Sequence, residues 1–151
     1  MAPYDLSVDP RIGLIEEMIL HCKKANTVIM YSHFEKTQIK KLKRDFPQYA
    51  TDLEEILHKL WDLMAVFRSR HCYTESMQNS YSIKKVLPAL CPELSYKSLV
   101  INNGLVASNT FLDLYYFKDK DYINETRKNL LKYCHLDTLA MVKVMEVLDQ
   151  V

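Results

Sequence analysis

With 151 residues, 48% hydrophobic and 26% charged, the chain is long enough for one domain with a proper core and too short for two comfortable ones. A net charge of +1 excludes the global basic field of a DNA-coating protein, and only two glycines, Gly13 and Gly104, exclude a Gly-rich phosphate cradle. No apolar run reaches the roughly 20 residues that span a bilayer, and residues 1–5 lack a signal peptide's basic start, so a cytoplasmic location without a membrane partner is expected.

Asp9-Pro10 is a helix start, with Asp as N-cap and Pro at the first helical position. Ile12, Ile15, Ile19 and Cys22 then recur at helical spacing, and the helix should end near Ala25. Residues 27–31, Thr-Val-Ile-Met-Tyr, are a continuous apolar run that predicts a strand buried on both faces. His33 to Phe46 is patterned as a helix with Phe34, Ile39 and Leu42 towards the core, and Pro47 closes it. Its basic run, Lys36, Lys40, Lys41, Lys43 and Arg44, reads most simply as a solvated face.

Thr51-Asp52-Leu53-Glu54 is a capping-box pattern, and the stripe Leu53, Ile56, Leu57, Leu60, Leu63 and Met64 carries that helix towards Phe67. His71 to Ser80 is polar and unpatterned, hence a loop, and Ser82 to Leu90 is a short helix. A second strand is expected over residues 96–101, followed by a turn at Asn103-Gly104. Residues 106–117 read as helix, with Tyr115-Tyr116-Phe117 as its core. The closing helix spans about Tyr122 to Leu148, with Leu130, Cys134, Met141, Met145 and Leu148 on one side.

The expected architecture is therefore a single α/β domain over residues 1–151, predominantly helical. So few strands make a poor sheet by themselves, so residues 27–31 should pair with further strands or with another chain, a partner or a second copy. Cys22, Cys72, Cys91 and Cys134 form no C-x-x-C pair, which argues for reduced structural thiols rather than a zinc ribbon.

Two short stretches bear on chemistry. Tyr31-Ser32-His33-Phe34-Glu35 lies where a strand hands over to a helix, and the carboxyl edge of an α/β sheet is where ligands gather. Tyr133-Cys134-His135-Leu136-Asp137 lies on the last helix, where one turn puts Tyr133 and Asp137 on the same face. Taken alone, Tyr133 is a packing residue and Glu35 a first-turn acid that complements the helix dipole.

These stretches, with Asp62-Leu63 and Ser80-Tyr81-Ser82-Ile83-Lys84-Lys85, resemble the bacterial family known as domain of unknown function 2779. That family is itself similar to the DnaQ-like, RNase H-like 3′–5′ exonucleases of the tyrosine-containing DEDD type. The resemblance implies a two-metal site using Mg²⁺ or Mn²⁺ and a nucleic-acid substrate. It implies Glu35 and Asp137 as metal ligands, Asp62 as a secondary ligand and Tyr133 as the catalytic, water-orienting residue. Lys84 and Lys85, or the stretch from Lys40 to Arg44, would contact phosphates.

The family's first motif, Asp-x-Glu on an opening strand, does not precede Glu35 in this sequence. Asp52-Leu53-Glu54 has the right spelling in the wrong place, inside a helix start where residues two apart diverge. Two divalent ions ~4 Å apart repel by roughly 17 kcal/mol at an effective dielectric of ~20, more than two carboxylates readily offset. The expectation is the carboxyl-terminal part of an exonuclease-like domain that binds at most one metal weakly and does not cut alone. The competing expectation is a non-catalytic interaction module that docks on a partner chain.

Overall fold

The computed structural model describes residues 9–150, and the chain forms two compact units, Met1–Ser69 and Arg70–Val151. Among the described residues the fold is predominantly helical with one small parallel sheet, the expected α/β class.

In the first unit, α1 (Pro10–Cys22) starts as read: the Asp9 carboxylate accepts the Arg11 backbone N–H, and Pro10 occupies the first turn. Ile15 is fully buried, with Met18, Ile19 and Cys22 packed beside it, while Ile12 is exposed. β1 (Val28–Met30) is shorter than predicted and buried only at Met30. After Met30 the chain turns through Ser32, whose φ of 71° is left-handed, into α2 (Phe34–Asp45). Ile39 and Phe46 face the core, whereas Phe34 is 67% exposed and so is not the core contact its apolarity suggested.

The stretch from Ala50 to Arg68 departs most from its periodicity. α3 (Ala50–Lys59) starts one residue ahead of Thr51, and no side chain caps it, so the capping box does not form. It stops at Leu60, whose backbone is extended, and β2 (Leu60–Asp62) and α4 (Met64–Arg68) follow. β2 runs parallel to β1 in the register Val28↔Leu60, Ile29↔Trp61 and Met30↔Asp62. Helical spacing over Leu60, Leu63, Met64 and Phe67 survives this interruption, because α4 resumes the same rhythm. Pairing with β1 replaces the helical hydrogen bonds given up, and Leu63 N–H donates to the Met30 carbonyl at 2.9 Å.

The second unit is helical throughout its described part. A 3-10 turn, Glu75–Met77, interrupts the predicted loop and buries Met77 completely. α5 (Ile83–Leu90) packs on α7 (Lys120–Leu148) through Val86 and Leu87. No strand forms over residues 96–101. Tyr96–Ser98 is a 3-10 turn opened by Ser95, whose hydroxyl accepts the Lys97 N–H at 3.2 Å. That local bond competes with an extended ladder that no neighbouring strand among the described residues would complete.

α6 (Gly104–Asp113) begins at Asn103, whose side chain accepts the Val106 N–H, and none of its residues is buried. Tyr115, Tyr116 and Phe117 lie beyond its end and are exposed, so they are not a helix core. The buried stripe of α7 is Thr126, Tyr133, Leu136, Ala140 and Val144. The predicted stripe is rotated from it, and Cys134 faces outward. Small residues such as Ala140 are where a partner helix comes closest, and a hydropathy ranking places them low.

Candidate functional site

Asp62 ends β2 at the carboxyl edge of the parallel pair, the edge from which β1 passes to Glu35. Its Oδ1 accepts two backbone N–H groups, from Ser32 at 2.9 Å and from Met64 at 3.0 Å. The first bond ties β2 to the left-handed turn after β1. The second closes an Asx turn that starts α4. Arg68 lies 3.7 Å from Oδ2, and only 14% of the Asp62 side chain is exposed. Glu35 sits in the first turn of α2, half-buried, where its charge complements the helix amino end.

The second unit places Tyr133 and Asp137 one turn apart on α7, as their spacing predicted, and adds two residues to them. Tyr96 donates its hydroxyl to Asp137 Oδ1 at 2.7 Å, and Tyr133 stands one turn away from the same carboxylate. The two rings are tilted against each other with centroids 6.1 Å apart. Lys84 on α5 sets its ammonium over both, 5.7 Å from the Tyr96 ring and 5.9 Å from the Tyr133 ring. The amino end of α6 closes the side, since a Cβ on Gly104 would stand 3.7 Å from the Tyr133 hydroxyl. Sequence reading missed Tyr96 because it treated the residue as part of a strand. The signal was Ser95, placed to cap a turn.

Burial, and then the neighbouring Asp137 carboxylate, push the Tyr133 hydroxyl well above the ordinary tyrosine value, and burial beside Asp62 does the same to Tyr31. Each group stays protonated in the folded chain at a pH where the unfolded chain has lost the proton. Their contribution is therefore complete below about pH 10 and falls as pH rises beyond it, by up to ~1.4 kcal/mol per unit for each tyrosine. Urea titrations at rising alkaline pH should show this decline, and Tyr133→Phe and Tyr31→Phe should each flatten it. An unchanged slope in both variants would contradict the assignment.

A family model described as a domain of unknown function (DUF2779) matches residues 2–82, more than half of the chain. The chain belongs to the DUF2779 family. No curated protein and no solved structure matches it. The DUF2779 match takes in β1, β2, Glu35 and Asp62 and stops at Ser82, the N-cap of α5. Tyr133 and Asp137 lie beyond it.

Glu35 and Asp62 belong to the first unit of this DUF2779 chain, and Tyr133 and Asp137 to the second. Among the described residues of each unit, no three His, Cys, Asp or Glu side chains come together as a metal ion needs. Asp62 already directs one carboxylate oxygen at two N–H groups, and Asp137 directs one at a tyrosine hydroxyl. By themselves, the residues of neither unit fit a pair of divalent ions. No described helix is long and apolar enough to cross a membrane.

Proposed function

We propose that this chain is the carboxyl-terminal part of a 3′–5′ exonuclease-like, RNase H-like domain acting on nucleic acid, and that it does not cut when it acts alone. The observation that carries the reading is the parallel pair β1–β2, which brings Asp62 to the same sheet edge that leads into Glu35. Carboxylates at the carboxyl edge of parallel strands suit ligand binding in α/β folds. Tyr133 and Asp137, one turn apart on the last helix, supply the tyrosine and aspartate that this reading calls for. Mg²⁺ or Mn²⁺ would bind weakly, because Asp62 and Asp137 are already engaged in hydrogen bonds.

A second reading, a non-catalytic module that pairs with a partner chain, rests on the sheet itself. Among the described residues it has two strands of three residues each, and parallel strands are ordinarily covered by more sheet. One assay separates the two. The chain is incubated with a 5′-labelled oligonucleotide and Mn²⁺, with and without a β-rich peptide carrying Asp-x-Glu. Cleavage only with the peptide supports the exonuclease reading, and peptide binding without cleavage supports the module. Shortening by the chain alone, abolished in Asp137→Ala, would overturn the proposal that it is silent.

A further inference from the structure

The basic run of α2 is largely solvated, as expected, and most of it borders a groove. Lys36, Lys40, Lys43 and Arg44 line one side of a groove of about 540 Å³, with Glu54, Leu57 and His58 of α3 opposite. Four cations face one carboxylate there, although the chain as a whole carries only +1. Lys43 bonds Glu54, and Arg44 bonds Asp45 outside the groove, while no carboxylate among the described residues forms an ion pair with Lys36 or Lys40.

Helix geometry sets the spacing. Lys36, Lys40 and Arg44 follow one another at four-residue steps, roughly 6 Å of rise each, along one helix side. Cations repeated at even intervals along a groove suit a ligand that carries its charge at regular steps. Lys84, the other sequence candidate for phosphate contact, is instead seated over two tyrosine rings. Trp61, the only tryptophan, lies three residues past His58 and is 41% exposed, an aromatic platform of the kind on which bases stack.

We infer that the α2–α3 groove binds the phosphate backbone of single-stranded nucleic acid, with Lys36, Lys40 and Arg44 as its phosphate contacts. This site shares with the exonuclease reading only the class of ligand. It needs no metal and no carboxylate, so it is tested in the presence of a chelator.

The test follows the anisotropy of a labelled oligothymidylate against the full chain. Three contacts give a slope of about −2 in log affinity against log salt, so binding should weaken about twentyfold between roughly 50 and 200 mM. The combined variant Lys36→Ala, Lys40→Ala, Arg44→Ala should lose at least about tenfold in affinity with its circular dichroism melt unchanged. Glu54→Gln, which releases Lys43, should tighten binding about threefold, a gain that damage to the fold would not produce. Affinity unchanged in the triple variant, a salt slope near zero, or equal competition by polyglutamate would overturn the inference. Failure of the nuclease assay alone would leave it standing.

Discussion

Asp62→Ala should destabilise the chain by about 3–4 kcal/mol, a large share of what a small domain has. Two backbone N–H groups lose a charged acceptor, and a hydrogen bond to a charged partner is worth about 1.5–3 kcal/mol. One of them belongs to Ser32, whose left-handed backbone is costly for a non-glycine residue and is held in place by that bond. Asp62→Asn keeps an acceptor at Oδ1 and should lose only about 1 kcal/mol. Urea unfolding followed by tryptophan fluorescence reads the effect directly, because Trp61 is the residue next to Asp62 and pairs with Ile29. If Asp62→Ala left the midpoint almost unmoved but removed Mn²⁺ binding, the carboxylate would be a metal ligand rather than a clamp between strand ends. The ranking Ala well below Asn is what the clamp requires.

The first unit was legible where one local rule spoke alone. Asp9-Pro10 could only start a helix, and Thr27–Tyr31 could only be extended. Legibility failed at Leu60–Asp62, where helical periodicity and β pairing both fit the residues. The deciding interaction was with Val28–Met30, a segment far away in sequence. Tyr96 failed for the opposite reason. Its flanking Leu99, Val100 and Ile101 favour a strand, but among the described residues no strand lies beside them, and the nearby Ser95 hydroxyl satisfies the backbone first. For the candidate site, the spacing of Tyr133 and Asp137 gave their shared face. It could not give Tyr96 or Lys84, which reach that face from other elements. Spacing along one helix reports neighbours on that helix alone.

Asp137→Ala should cost about 2 kcal/mol, because the buried Tyr96 hydroxyl loses a charged acceptor. Tyr96 is 4% exposed, so water does not readily replace the carboxylate there. Tyr96→Phe removes the donor and leaves a half-buried carboxylate that water can reach, so it should cost only about 1 kcal/mol. The pair Asp137→Ala with Tyr96→Phe should cost less than the sum of the two single losses, since both changes remove the same bond. A double-mutant cycle by urea denaturation measures that shortfall. Simple addition of the two losses would mean that Tyr96 and Asp137 act independently. A coupling of about 1 kcal/mol would show that Tyr96 and Asp137 act as a pair. The same cycle bears on any metal at Asp137: an ion drawing on this carboxylate must compete with the Tyr96 hydroxyl, so Tyr96→Phe should strengthen Mn²⁺ binding while it weakens the fold. A residue that only packed against Asp137 would weaken both.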